Sequence, residues 1–137
     1  MVDNPRNEAG LVARRLDALR RMRSAEKLAY WHSGLAALAY FLMANSHDNG
    51  YVRLSFLATA VFIAPLGWAI GRRQSAAAAA VLVTFVLGVT IWQIVSGRTP
   101  AVLIVFLIAW RYAQAFNAAR EYASLRDVTF ESQQAAT

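Results

Sequence analysis

The chain has 137 residues, 58 % of them hydrophobic, and a formal net charge of +6 at pH 7. This length accommodates one domain, and the apolar share exceeds the roughly 45–50 % of soluble domains. Because cysteine is absent, the composition excludes disulfides, thiol catalysis and thiolate metal sites.

Charged residues are missing from three long segments of the chain. Segments 28–44, 54–71 and 74–97 contain no Asp, Glu, Lys or Arg. A helix needs about 17–25 apolar residues to cross a hydrocarbon core about 30 Å thick. A soluble protein of this size has no core that buries three such helices on all sides. We therefore expect an all-α membrane protein, a four-transmembrane-helix antiparallel bundle.

The N-terminal segment, residues 1–27, is predicted to be cytoplasmic, with a disordered start over residues 1–7 and a basic amphipathic helix from about Glu8 to Lys27. Its apolar residues recur at helical spacing and form one stripe: Val12, Leu16, Leu19 and Met22. Its remaining surface is basic: Arg14, Arg15, Arg20, Arg21, Arg23 and Lys27. The helix either lies in the membrane interface and binds anionic headgroups, or it is solvated and its charges only set the orientation of the chain.

Four spans are predicted within a transmembrane domain of residues 28–119, at about 28–45, 51–71, 75–96 and 100–119. Aromatic residues flank the first span, as an interfacial belt requires: Tyr30, Trp31, Tyr40 and Phe41. Turn-forming residues 45–50 follow it. In the second span, Pro65 removes one backbone hydrogen bond and is expected to kink the helix. A tight basic turn at 71–74 leads to the third span.

The third span carries small residues at every fourth position, which places them in one strip along the helix: Ala76, Ala80, Thr84 and Gly88. Small side chains at this spacing let two membrane helices approach closely. We expect the strip to pack against another helix. That helix belongs either to the same bundle, which is the interpretation we favour, or to a second copy of the protein.

The fourth span begins with a favourable helix start, because Thr99 is a good N-cap residue and Pro100 suits the first helical position. Apolar residues 101–110 follow, then Arg111, and the helix is expected to continue to about Ala119. Residues 120–137 are predicted to be a cytoplasmic C-terminal tail, frayed from Thr129 onward.

Basic residues are distributed unevenly between the two sides of this topology. Eleven fall on the side that holds both termini and the turn 71–74, against Arg53 and Arg98 on the other side. Because basic loops stay in the cytoplasm, both termini are expected to be cytoplasmic. The preference for Arg over Lys, with abundant Ala, is typical of a GC-rich bacterium, so we expect the bacterial inner membrane.

No catalytic or nucleotide-binding motif occurs in the chain, and we expect a protein that is not an enzyme and holds no cofactor or metal. All eight acidic residues lie outside the spans, which argues against a proton-coupled carrier. His32 and His47 fall on opposite sides of the membrane, so one chain supplies neither a His-rich metal site nor both axial ligands of a haem. The basic residues follow the membrane topology, so nucleic acid is not expected as a partner.

Arg111 lies about eight residues, or about 12 Å, from the predicted cytoplasmic end of the fourth span. A charge at that depth is costly in hydrocarbon. Gln114 is one turn further on, and His32 of the first span lies at a similar depth, so these three residues are candidates for an intramembrane polar layer. The simpler alternative is that Arg111 snorkels from a short or tilted span to the headgroups.

The expected function is that of a small multi-pass accessory or scaffold subunit. Its expected partners are a bilayer with anionic headgroups and another membrane protein, or a second copy of itself as a homo-oligomer. The alternative is a small oligomeric channel or transporter. The lack of acids in the spans favours the first interpretation, whereas Pro65 and the Arg111 layer are the features that support the second.

Overall fold

The computed structural model describes residues 5–42, 50–95 and 102–134, and within these ranges the chain consists of α-helices with no strand. The four helices are α1 (Pro5–Leu42), α2 (Gly50–Arg73), α3 (Ala76–Val95) and α4 (Val102–Gln134). The prediction of an all-α chain with four helices is therefore confirmed for the described residues. Residues 1–4, 43–49, 96–101 (which include Thr99 and Pro100) and 135–137 lie outside the described residues.

The helices α1 and α2 run antiparallel and pack closely at two glycines. A Cβ atom added to Gly67 would overlap the Cβ atom of Ala29, and one added to Gly71 would overlap the side chain of Glu26. Further along the pair, the Ser33 hydroxyl donates a hydrogen bond of 2.7 Å to the backbone oxygen of Ala60. Small residues on both helices therefore allow a backbone approach that larger side chains would prevent.

At the far end of the same pair, the Arg53 guanidinium lies 4.5 Å from the centre of the Tyr40 ring. Cation–π contacts of this kind are typical of arginine beside an aromatic ring. Pro65 lies inside α2, which continues through it to Arg73. The kink expected at this proline stays a prediction.

A tight turn of two residues joins α2 to α3. Gln74 adopts a left-handed backbone conformation, with φ of 52°, and the amide of Ser75 donates to the backbone oxygen of Ala69 over 3.2 Å. The Ser75 hydroxyl then accepts a hydrogen bond from the amide of Ala78 at 3.2 Å and caps the first turn of α3. The turn forces α2 and α3 into an antiparallel hairpin.

The helices α1 and α4 also run antiparallel, and both extend beyond the α2–α3 turn. Arg14 of α1 forms an ion pair with Glu121 of α4 at 3.1 Å, and the Arg15 guanidinium donates to the backbone oxygen of Leu125. We call this extension the two-helix arm, residues 5–24 of α1 and 114–134 of α4. It is roughly 30 Å long at 1.5 Å per residue.

The arm differs from what the sequence predicted for both ends of the chain. Residues expected to be disordered at the N-terminus are helical from Pro5, and those expected to fray beyond Thr129 are helical as far as Gln134. The predicted amphipathic helix and the first span form one unbroken helix, α1. The physical reason is that the N-terminal part of α1 and the C-terminal part of α4 pack on each other and bury Ala18 and Met22 of α1.

The main core begins where all four helices overlap and continues into the arm, and alanine supplies much of it. It contains fifteen buried residues. They are Ala18, Met22, Ala25, Ala29, Ile63, Ile70, Ala78, Ala79, Leu82, Val86, Ala109, Tyr112, Ala115, Ala118 and Ala119. Small side chains bring the helices close together, and many of the larger apolar side chains of α1–α4 are exposed.

By length and apolar composition, one helix of the described residues is able to cross a membrane, over Val52–Arg73. The apolar part of α3, Ala76–Trp92, is shorter than such a span normally is. About 22 % of the apolar stretch in Val52–Arg73 is buried within the molecule. Most of its surface is therefore turned away from the protein.

Candidate functional site: a basic belt and the Arg111 notch

Basic side chains from three helices lie at one level of the bundle, at the base of the two-helix arm. The α1 residues Arg23 and Lys27 share a pocket of about 470 Å³ with Gly71, Arg72 and Gln74 at the end of α2. On the other side of α1, a pocket joins Arg20 and Arg21 to Arg111 of α4. We call this set the basic belt: Arg20, Arg21, Arg23, Lys27, Arg72, Arg73 and Arg111.

Three of the four tryptophans lie next to the basic belt, on the side away from the arm. Trp31 follows Lys27 by one helical turn, Trp68 precedes Arg72 by one turn, and Trp110 precedes Arg111 directly. All three indole rings are exposed, Trp31 to 73 %. The Arg73 guanidinium lies 5.0 Å from the centre of the Trp68 ring. This order of basic and indole side chains is that of a membrane–water interface.

Beyond the tryptophans, the surface of all four helices is apolar. Large side chains there are 38–76 % exposed, and the exposed set includes Leu35, Leu38, Phe41, Leu42, Leu54, Leu57, Val61, Phe62, Val81, Leu87, Ile91, Trp92, Ile94, Val95, Ile104, Phe106 and Leu107. Soluble monomers rarely expose contiguous apolar patches above a few hundred Å². On the N-terminal side of Tyr30 in the sequence, the described residues that are large, apolar and exposed are Val12 and Leu16 of the arm.

Arg111 lines a pocket between α1 and α4, which we call the Arg111 notch. Its volume is about 180 Å³, and its lining residues are Arg20, Arg21, Ser24, Ala25, Arg111 and Gln114. Arg21 forms an ion pair with Asp17 at 2.5 Å. Arg20 and Arg111 have no ion pair with any described residue. The notch thus gathers three guanidinium groups without a carboxylate in its lining.

The structure brings together two members of the predicted polar layer. Arg111 and Gln114 share the notch, opposite Ser24 of α1. His32 is not among the lining residues and lies eight residues further along α1, or about 12 Å. The level of Arg111 is therefore that of the basic belt, and the choice between a polar layer and a snorkelling arginine stays open. His32 is partly buried, and its Nδ1 atom has no hydrogen-bond partner among the described residues.

The basic residues predicted to face the membrane surface divide into two groups. Arg14 and Arg15 contact α4 within the arm, whereas Arg20, Arg21, Arg23 and Lys27 belong to the basic belt. The apolar stripe divides in the same way, because Met22 is fully buried while Val12 and Leu16 are more than half exposed. The buried face of α1 is formed by alanines instead.

The small-residue strip of α3 does not pack uniformly inside the chain. Ala76 and Ala80 are partly buried, but Thr84 and Gly88 are exposed. A Cβ atom added to Gly88 would meet nothing within 4 Å. Gly88 therefore does not pack against another helix of the described chain, and packing of the strip against a second copy stays a prediction.

Sequence reasoning missed the closest helix contact, although its signal is present. Gly67 and Gly71 form a Gly-x-x-x-Gly motif in α2, and this motif packs on Ala29 and Glu26 of α1. It also missed Tyr112, which is fully buried and whose hydroxyl has no hydrogen-bond partner among the described residues. No sequence signal distinguishes a buried tyrosine at this position from one that faces the membrane interface.

Comparison of the chain with protein-family models, with curated proteins and with solved structures finds no match. Among the described residues, no group of three or more His, Asp or Glu side chains is placed to hold a metal ion. What the site offers chemically is guanidinium, hydroxyl and amide groups. These are hydrogen-bond donors suited to an anion.

Proposed function

We propose that the protein is a small multi-pass protein of the bacterial inner membrane, with four spans, both termini cytoplasmic, and a non-enzymatic role as an accessory or scaffold subunit. The observation that carries the membrane location is the exposed apolar surface on all four helices, bounded at one end by tryptophans and the basic belt. A lipid bilayer is the environment that matches this order of surfaces.

The dimensions of α2 support the same proposal. Arg53 and Arg72 lie 19 residues apart along the helix, or about 28 Å, close to the thickness of a hydrocarbon core. The helix is also mostly unburied in the molecule, whereas the core helix of a soluble protein is mostly buried. For α1, α3 and α4, the exposed apolar side chains at the same depth are the supporting observation.

The two-helix arm supports the accessory role. It extends the bundle on the basic side by roughly 30 Å, and its described side chains include two large apolar ones that are exposed, Val12 and Leu16. A cytoplasmic extension with exposed apolar residues suits contact with another protein. The two pockets at the base of the arm are lined mainly by basic residues.

Reporter fusions test the topology directly. An enzyme reporter that is active only outside the cytoplasm should give a signal when fused at Asn49 or Gly97, and none at Arg72 or Thr137. A signal at Thr137 would contradict the proposal, because it requires an odd number of spans or the reverse orientation. Release of the protein from membranes by alkaline washing would contradict the membrane location itself.

A pull-down in mild detergent, followed by mass measurement of the intact complex, tests the accessory role. The expected result is a complex with a different membrane protein in addition to this chain. The double variant Val12→Ser/Leu16→Ser should reduce recovery of that partner, while Val61→Ser/Phe62→Ser on the apolar surface of α2 serves as the matched control. A homo-oligomer without any partner would instead favour the channel or transporter interpretation.

A further inference from the structure

The Arg111 notch has an electrostatic imbalance that nothing in the described chain removes. Three guanidinium groups converge on about 180 Å³, and one of them, Arg21, has an acidic partner. Like charges held close together repel one another even where their side chains are exposed, as those of Arg20, Arg21 and Arg111 are. A bound anion would remove this repulsion. The notch also provides the Ser24 hydroxyl and the Gln114 amide as neutral hydrogen-bond donors.

The chemistry of the lining suits an oxyanion such as phosphate better than a halide. The planar fork of arginine matches the oxygen atoms of an oxyanion and can bind two of them at once. The donors come from two helices, Arg20, Arg21 and Ser24 from α1 and Arg111 and Gln114 from α4, so they surround the space from two sides. Both non-bridging oxygens of a phosphodiester can therefore be bound together.

The depth of the notch indicates the source of the phosphate. Trp110, next to Arg111, begins the exposed apolar surface, and Arg111 itself lies in the basic belt. In a bilayer this is the level of the lipid headgroups, where basic pockets between helices bind anionic lipids. A lipid bound there would place its acyl chains along the exposed side chains of Trp110 and Leu107.

We propose that the Arg111 notch is a binding site for the phosphate group of an anionic phospholipid, held between the two helices at the base of the arm. This inference rests on the membrane location proposed above, and it adds a specific site to it. Bound lipid phosphate would bridge α1 and α4 and fix the arm relative to the bilayer. Arg20 and Arg111 bind the phosphate most directly, because neither has an acidic partner in the described chain.

The test uses the purified full-length chain in a neutral detergent, titrated with phosphatidylglycerol and followed by native mass spectrometry. The expected result is one tightly bound phosphatidylglycerol per chain, with an affinity at least tenfold above that for phosphatidylcholine. The variants Arg111→Gln and Arg20→Gln should each weaken this binding by about tenfold. The matched control Arg120→Gln removes the same charge from α4 at a position outside the notch and should change the affinity less than twofold.

Three outcomes would overturn the site. Equal loss in Arg120→Gln would mean that net charge alone attracts the lipid, and equal binding of phosphatidylcholine would exclude recognition of an anionic headgroup. Displacement of the lipid by equimolar inorganic phosphate would assign the notch to a soluble anion. Retention of the protein in alkaline-washed membranes is measured separately for every variant. If the unsubstituted chain shows no lipid selectivity but is fully retained in the membrane, the site is rejected and the proposed membrane location stays intact.

Discussion

The hydroxyl of Tyr112 is a polar group in the described core that lowers the stability of the folded bundle. The residue is fully buried, and its oxygen has no hydrogen-bond partner among the described residues. An unsatisfied buried hydroxyl costs about 1–3 kcal/mol. We expect Tyr112→Phe to stabilise the bundle by about 1 kcal/mol, measured by unfolding in a mixed detergent titration.

The control for this measurement is Tyr30→Phe. The Tyr30 hydroxyl is exposed and donates to Glu26 over 3.3 Å, so its removal should change stability only slightly. A clear loss of stability in Tyr112→Phe would contradict the prediction, since it would mean that the hydroxyl is bound by a buried water or by another molecule.

Gln74 affects stability through its backbone conformation. Its φ of 52° lies in the left-handed region, which costs a non-glycine residue roughly 1 kcal/mol. Gln74→Gly should therefore raise the stability of the α2–α3 turn by up to about 1 kcal/mol in thermal unfolding. The same substitution at Gln114, in the interior of α4, should instead lower stability by about 1 kcal/mol. Destabilisation by both variants would mean that the turn does not require a left-handed residue.

At the scale of the helix pairs, Gly67 and Gly88 provide a direct comparison. A Cβ atom at Gly67 would overlap Ala29, whose short side chain cannot move aside, whereas a Cβ atom at Gly88 meets nothing within 4 Å. Gly67→Ala should lower bundle stability by about 1–3 kcal/mol through overpacking. Gly88→Ala should be neutral or should stabilise α3 by up to about 1 kcal/mol, because alanine is the better helix former.

Equal stability of the two variants in detergent would contradict the packing of α1 on α2. Destabilisation by Gly88→Ala alone, accompanied by loss of a dimer, would instead show that the small-residue strip of α3 packs against a second copy. The comparison therefore also decides between the two interpretations that the sequence left open for that strip.

The same glycines show how far the sequence predicts helix packing. Spacing identifies small residues that share a face of a helix, as it did for Thr84 and Gly88 and as it does for Gly67 and Gly71. Spacing does not tell which face meets a neighbour, because that depends on how far each helix is rotated in the bundle. The number of helices and most of their positions could be predicted, because long runs of uncharged residues are a local feature of the sequence.

At the scale of the whole molecule, the two-helix arm is the feature that the sequence did not predict. Residues 114–134 contain both charged and small residues, and their helical pattern alone is weak. The arm forms because α1 and α4 pack on each other, which buries Met22 of α1 and Ala118 and Ala119 of α4. Such a contact spans about a hundred residues of sequence, so local patterns cannot reveal it.

Cysteine crosslinking tests this arm cleanly, because the chain contains no cysteine of its own. Arg14 and Glu121 contact each other in the structure at 3.1 Å, and an exposed ion pair of this kind contributes only about 0–1 kcal/mol. The arm should therefore survive the double variant Arg14→Cys/Glu121→Cys, and a short bis-maleimide should link the two positions in the full-length protein. The product is expected at the mass of one chain, because both helices belong to the same molecule.

The control Arg14→Cys/Ala58→Cys, whose second site lies on α2 beyond the basic belt, should remain unlinked. A product found only at the mass of two chains would mean that α4 of one molecule packs on α1 of another, and the arm would then be an interface between copies.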